Sequence, residues 1–210
     1  MTDYHLDIYV ADESLVNLYD EAIAKHNSAS SSSHPDSGFD LFVPTNTFQT
    51  MLDAGTSGAK AGVVPTVCAD LGVKVSMRKC NRGIPTGCYL YARSSCSKYP
   101  FRLANNQGII DSGYRGSVKA MLDVNWNIAS FLTPHSNTPR SPTEYTNLLE
   151  SLEQRDFAAY PELSCGASSP IRLMQICAPG LEAFTVARVS SPDQLGATER
   201  GEGGIGSTGL

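Results

Sequence analysis

The residue types best suited to catalysis lie together in residues 108–116, where glycines bracket one carboxylate and one aromatic ring. The run Gly108, Ile109 and Ile110 predicts a short strand, and Asp111 at its end is placed to act as a general base. A second interpretation is open, because an Asp followed by Ser-Gly also forms turns by bonding its own backbone. The run therefore predicts either a catalytic carboxylate or an ordinary turn.

A second group of chemically capable residues comprises Arg93, Ser94 and Ser95, which follow the apolar residues 88–90. The planar guanidinium group of an arginine holds phosphate oxygens in a bidentate geometry, and neighbouring hydroxyl groups add hydrogen bonds. The composition predicts a phosphate-binding site just past a strand.

The C-terminal residues 200–210 begin with Arg200 and contain five glycines, at positions 201, 203, 204, 206 and 209. The exposed N–H groups of such a run can wrap a polyphosphate, with help from the hydroxyl groups of Ser207 and Thr208. Glycine-rich termini also occur as plain disordered ends. The arginine at one end and the hydroxyls at the other favour a phosphate-binding flap.

These three segments, with Ser-Gly-Phe-Asp-Leu at 37–41 and Arg-Leu-Met-Gln at 172–175, occur in the order and approximate spacing of five known motifs. The chain resembles the trimeric dUTPase family, dUTP diphosphatases that hydrolyse dUTP to dUMP and pyrophosphate. The resemblance runs from about residue 37 to residue 210, apart from two insertions. One departure is that Pro170 and Ile171 stand where family members usually carry a Gly-Asp pair.

The resemblance implies a role for each polar group of the motifs. Asp111 would activate the water that attacks the α-phosphate. Arg93, Ser94 and Ser95 would bind phosphate oxygens, and Arg200 would meet the terminal phosphate when the C-terminal arm closes. In a cell this reaction keeps uracil out of DNA and supplies dUMP for thymidylate synthesis.

Base and sugar selection would fall to the segment around the predicted strand. The resemblance places Asn105 at the family's amide position and assigns the uracil edge to the backbone of Gly108, Ile109 and Ile110. Tyr114 would lie under the deoxyribose and leave no room for a 2′-hydroxyl. Packing of the Tyr114 ring in the protein core is the alternative.

The arm would complete the substrate site through Ile205, Gly206 and Ser207. The family commonly carries an aromatic residue at the position of Ile205, where it stacks on uracil. The resemblance also implies Mg²⁺ carried by the triphosphate with its waters retained, touched by Asp40 and Gln175 only through those waters. A turn-closing carboxylate is the other interpretation of Asp40.

Most of the chain reads as short strands separated by turn residues, which predicts an all-β fold with a few peripheral helices. Residues 5–10 alternate polar and apolar side chains as a half-buried strand does. Leu15, Leu18, Tyr19 and Ile23 recur at helical spacing, with Asn27 as a possible end. The other predicted strands cover residues 63–67, 72–77, 88–92, 116–124, 171–178 and 184–189.

The resemblance implies that residues 1–199 form one distorted jelly-roll domain and that residues 200–210 form a flexible arm. It also implies a homotrimer with active sites at the subunit interfaces. The two insertions, at about 45–71 and 125–169, are expected to be surface excursions. Within the second, residues 141–152 carry a capping pattern followed by leucines at helical spacing, which predicts a helix.

Composition and charge narrow the range of partners. A net charge of −5 argues against a general nucleic-acid binder, because affinity for a phosphate backbone needs a basic surface. No apolar run is long enough for a membrane span, and residues 1–7 lack the pattern of a signal peptide. We expect a cytoplasmic or nuclear protein. Its six cysteines, without a CxxC pair, are expected to be reduced, with a metal site or disulfides as the lesser alternative.

Two other functions remain open at this level. The fold could serve as a catalytically silent nucleotide-binding or protein-interaction module, although Arg93, Asp111, Tyr114 and Arg200 together favour catalysis. A related nucleotide deaminase would require a glutamate after the tyrosine position, and residues 117–119 supply no acid.

Overall fold

The structure is a computed structural model that describes residues 2–61, 63–124 and 171–204. Within these ranges the chain forms eleven strands and two α-helices. The helices are α1 (Val16–Ser30) and α2 (Thr45–Ala61). The strands are β1 (Tyr4–Val10), β2 (Gly38–Phe42), β3 (Thr66–Asp70), β4 (Val73–Lys79), β5 (Ile84–Thr86), β6 (Cys88–Ala92), β7 (Phe101–Leu103), β8 (Gly108–Ile110), β9 (Lys119–Val124), β10 (Arg172–Cys177) and β11 (Phe184–Val189).

The strands are arranged in three sheets of order β11-β1-β4-β5, β2-β10-β6-β8 and β3-β9-β7. All pairs are antiparallel except β1 and β11, which run parallel. The described strands form open sheets and no closed barrel. This β-rich architecture with few helices confirms the predicted class at the coarse level.

One hydrophobic core holds the sheets together. Along β1 and β4 alternate side chains are buried, so one face of that sheet turns inward as the sequence alternation predicts. Strand β10 lies between β2 and β6 in its sheet and is buried at most of its positions. The largest fully buried side chains come from all three sheets and both helices: Tyr19, Phe39, Phe101, Phe184, Leu6, Ile8, Leu41, Met51, Leu71, Met77, Leu90 and Leu122.

Helix α1 confirms the predicted helix but continues past the expected end at Asn27. The side-chain amide of Asn27 donates to the backbone oxygen of Val186, and its oxygen accepts from the Val186 N–H, both at 2.8 Å. The Asn27 side chain therefore hydrogen-bonds the outer edge of β11 and does not cap the helix. The hydroxyl of Ser30 donates to the Asn27 carbonyl and satisfies one group of the last turn.

The first insertion is not a surface excursion, which corrects the expectation for residues 45–71. Helix α2 places Phe48, Met51 and Leu52 in the core, with exposures of 8%, 0% and 3%. These residues fall at helical spacing on one face, so the insertion contributes apolar burial to the domain. The predicted helix at 141–152 lies outside the described residues.

The predicted strands at 88–92 and 184–189 match β6 and β11 residue for residue. The prediction at 63–67 was displaced, because Val63 and Val64 are exposed and β3 begins only at Thr66. The strand expected from residue 116 begins at Lys119, since residue 116 lies in a bend and residues 117 and 118 have no regular structure. Among the described residues no helix is both long and apolar enough to cross a membrane. Five of the six cysteines are described, and all five are free thiols.

Candidate active site

The predicted site residues form two separate groups, and the first lies on the exposed face of the sheet β2-β10-β6-β8. The register pairs Gln175 of β10 with Asp40 of β2 on one side and with Tyr91 of β6 on the other. Directly opposed residues of a sheet share a face. Arg93 and Ser94 follow β6 at the same end, so four of the predicted residues meet around one cavity of about 730 Å³.

Asp40 is held by two arginines. Its Oδ1 lies 2.6 Å from Nε of Arg93, and its Oδ2 lies 3.1 Å from Nη1 of Arg172. Arg93 also donates from Nη1 to the hydroxyl of Ser95 at 2.9 Å and to the backbone oxygen of Arg172 at 3.0 Å. The two guanidinium groups and the carboxylate form a charge cluster with one net positive charge at the cavity, a composition suited to an anion.

Arg172 was not among the predicted site residues, although the resemblance included its segment. Its guanidinium group lies over the ring of Phe42, 5.8 Å from the ring centroid, and its side chain is 44% exposed. Partial exposure leaves this cation accessible to a ligand.

His26 was also missed, because nothing in the periodicity of α1 marks it as more than a core residue. It lines the cavity, is 6% exposed, and donates from Nε2 to the backbone oxygen of Phe184 at 3.1 Å. Burial lowers the pKa of His26, while the Phe184 carbonyl and the carboxylates of Asp36 and Asp40 act in the opposite direction. The imidazole is therefore a neutral wall of the cavity near pH 7.

Gln175 occupies the space that a side chain at Gly38 would take. A Cβ on Gly38 would lie 2.2 Å from Oε1 of Gln175, whereas the next neighbour, Sγ of Cys177, would lie at 3.4 Å. The amide nitrogen of Gln175 donates to the backbone oxygen of Ala92 at 3.4 Å. The missing side chain at Gly38 thus leaves room for the Gln175 amide beside β2 at the wall of the cavity.

The second group surrounds Asp111, which directly follows β8. The backbone N–H of Tyr114 donates to the Asp111 carbonyl at 3.0 Å and closes a turn. The Tyr114 hydroxyl donates to the backbone oxygen of Ser117 at 2.8 Å, and the ring is half-buried beside Gly116, where a Cβ would meet it at 2.5–2.8 Å. Tyr114 packs against the core with one face and remains partly open, so the two predictions for its ring are not exclusive.

The start of the C-terminal arm lies on this turn. Nη1 of Arg200 is 2.5 Å from Oδ2 of Asp111, and both side chains are exposed by more than a third. The arginine and the candidate base therefore meet within one chain. Residues 205–210 lie outside the described residues, so the predicted roles of Ile205, Gly206 and Ser207 stay predictions.

Strand β8 is an edge strand, because its sheet ends there. Among the described strands its backbone pairs with β6 alone, which leaves the outward N–H and C=O groups of the edge for another partner. Ile109 is 67% exposed on this strand. Asn105 is exposed in the turn before it, and its carbonyl accepts from the N–H of Gln107. The predicted uracil-binding backbone is therefore accessible.

The two groups lie at opposite ends of β6. Ile110, next to Asp111, pairs with Cys88 at the start of the strand, whereas Arg93 follows its last residue. Five residue-to-residue steps of extended chain lead from Cys88 to Arg93, which corresponds to about 17 Å between their Cα atoms. Asp111 and Arg93 therefore lie beyond opposite ends of this strand.

No protein-family model matches the chain, and no curated protein matches it.

Proposed function

We propose that the protein hydrolyses dUTP to dUMP and pyrophosphate by attack of water on the α-phosphate. The observation that carries the proposal is the convergence of Asp111, Tyr114 and Arg200. Two motifs about 90 positions apart in the sequence meet in one turn, with the arginine on the carboxylate. The charged cavity of Arg93 and the neutral hydrogen-bonding edge of β8 belong to the same sheet.

In this proposal Asp111 accepts a proton from the attacking water, a step that typically contributes about 10²–10⁴-fold to the rate. Arg93 and Arg172 stabilise the negative charge that develops on the pyrophosphate leaving group. Arg200 exchanges its carboxylate partner for a phosphate when the nucleotide enters. That exchange frees Asp111 at the moment a substrate is present.

The donor chemistry of the cavity fits Mg²⁺ only when the ion keeps its waters. The described residues bring together no group of three or more His, Cys, Asp or Glu side chains, and both oxygens of Asp40 already hold arginines. Asp40 and Gln175 would contact water molecules around the ion. Mg²⁺ bound to the triphosphate would supply positive charge to the phosphate oxygens.

The proposal includes a homotrimer of distorted jelly-roll subunits, with each active site shared between chains. The position of Arg93 and Asp111 at opposite ends of β6 within one chain supports this arrangement, because a second chain can supply the missing group. Sedimentation should give a trimer. Mixed trimers of Asp111→Asn chains and chains truncated after Glu199 should recover activity, and no recovery in verified mixed trimers would contradict shared sites.

The activity is tested by incubating the purified protein with dUTP, dCTP and dTTP plus Mg²⁺ and separating the products by chromatography. We expect dUMP and pyrophosphate from dUTP, with the other nucleotides unchanged. Asp111→Asn should abolish most of the product. Asp53 is an exposed carboxylate on α2 that accepts from the Gln49 amide, so Asp53→Asn is the matched control and should retain full activity.

A nucleotide-binding module without catalysis is the second candidate, and the observation that favours it is the Arg200–Asp111 ion pair. If the pair persisted with nucleotide bound, the carboxylate could not accept a proton. Binding of dUTP in calorimetry without product in the chromatographic assay would support this function. A free nucleotide as ligand agrees with the net charge of −5 and with a cytoplasmic or nuclear location.

A further inference from the structure

Arg115 connects two parts of the chain that the candidate chemistry needs together. Its Nε donates to the backbone oxygens of Leu195 and Gly196, at 2.9 and 3.0 Å. Its Nη1 donates to the backbone oxygens of Ser112 and Tyr114, at 3.0 and 2.8 Å. The guanidinium group thus contacts four carbonyls, two on the turn after Asp111 and two in the segment that leads into the C-terminal arm.

Backbone and hydroxyl contacts continue this connection along the arm. The N–H of Arg115 donates to the Gly201 carbonyl at 2.8 Å. The hydroxyl of Thr198 donates to the Gly113 carbonyl and accepts from the N–H of Gly201. The arm and the turn are therefore joined at three successive points between residues 195 and 201.

Two ion pairs lie near residues 200–202, just past these backbone contacts. Arg200 lies next to Gly113: its Cβ is 3.6 Å from the position that a Cβ on Gly113 would occupy. The guanidinium group of Arg200 contacts Asp111. Beyond it Glu202 pairs with Lys74 of β4. The position of Arg200 is a consequence of how its neighbours are anchored, since the arginine itself bonds only Gly203 and Asp111 among the described residues.

We propose that Arg115 is a positioning residue that anchors residues 195–203 on the turn after Asp111 and so presents Arg200 to the nucleotide phosphate. The functional part of this inference rests on the proposed dUTP hydrolysis, while the anchoring does not. A planar fork with several donors in fixed directions is required, because the four carbonyls lie on two different segments. A lysine ammonium group is a compact point charge and cannot bridge both segments at once.

Trypsin cleavage after Arg200 measures the anchoring without any substrate. The cut releases residues 201–210, whose mass identifies the event. Cleavage after Arg82, in the exposed turn between β4 and β5, gives an internal reference within the same molecule. Proteolysis follows local opening, so the ratio of the two cuts reports how often the arm is released.

We expect Arg115→Ala and Arg115→Lys to raise the ratio of cleavage at Arg200 to cleavage at Arg82 by about fivefold or more, from loss of charge-assisted hydrogen bonds. Guanidinium chloride, at concentrations far below those that unfold proteins, should restore protection in Arg115→Ala, because the free cation fits the four carbonyls. Ammonium chloride at equal ionic strength should not. Circular dichroism selects the variants that fold, and the lysine variant carries the test if the alanine variant does not fold.

A wild-type cleavage ratio in either folded variant would overturn the proposal, as would equal rescue by guanidinium and ammonium. The kinetic consequence is tested separately, with dUTP as substrate. We expect Arg115→Ala to lose activity and to regain it with guanidinium ions. If the wild-type protein has no activity towards dUTP, the proposed function fails while the cleavage ratio still decides the role of Arg115.

Discussion

Adding a methyl group at Gly38 should remove the Gln175 amide from the cavity with little effect on stability. The new Cβ would lie 2.2 Å from Oε1 and 2.9 Å from Cδ of Gln175, so the side chain must turn away. The atoms that must move are the far end of a flexible side chain. The nearest other atom, Sγ of Cys177 at 3.4 Å, is at an ordinary contact distance.

The stability change is the balance of two small terms. Replacing glycine by alanine in a strand gains roughly 0.5–1 kcal/mol, because the unfolded chain loses conformational freedom. Displacing Gln175 loses its long hydrogen bond to the Ala92 carbonyl, at most about 0.5–1.5 kcal/mol. We therefore expect Gly38→Ala to unfold within about 1 kcal/mol of the wild type, or within about 2–4 °C in a thermal melt.

Activity should respond more than stability. If the amide of Gln175 makes one hydrogen bond that assists catalysis, its removal should lower kcat/KM for dUTP by about 2–10-fold. Gln175→Ala should lower kcat/KM to a similar extent, and adding Gly38→Ala to it should cause no further loss, since the glycine acts only through the glutamine. A full second loss in the double variant, or destabilisation well above 2 kcal/mol in Gly38→Ala, would refute this reasoning.

Three further predictions follow from single side chains. Asp111→Asn should reduce kcat by about 10²-fold or more while nucleotide affinity in calorimetry stays near wild type, and activity within a few-fold would remove Asp111 as the base. Tyr19→Phe should cost about 1–3 kcal/mol in urea unfolding, because the buried Tyr19 hydroxyl accepts the N–H of Phe42 at 3.0 Å, and an unchanged midpoint would contradict that role. Burial lowers the pKa of His26, so below about pH 6.5 the unfolded chain binds a proton that the native imidazole does not, and stability should fall from pH 7 to 5.5. The fall should be smaller in His26→Gln, whose amide can still donate to the Phe184 carbonyl; equal falls would exclude His26 as a cause.

Local patterns in the sequence were sufficient for several elements. Alternation of apolar residues predicted β1, and helical spacing predicted α1, because burial on one side imposes a period on the chain. The glycines around Asp111 predicted a turn after a short strand, and Asp111 does follow β8. Helix α2 was not predicted, because the expectation for residues 45–71 rested on their being an insertion relative to a resembling family, which says nothing about whether an apolar face is buried.

The tertiary structure alone decided which polar groups meet. Asp40 binds Arg172, 132 positions away, and Arg115 binds carbonyls 80 and 81 positions away, contacts that depend on sheet register and on the path of the arm. Periodicity reports which face of an element is buried and carries no information on its partner. The sequence by itself therefore determined the residue types capable of chemistry, while the packing of β2, β10 and β6 determined that they are divided between two ends of one sheet.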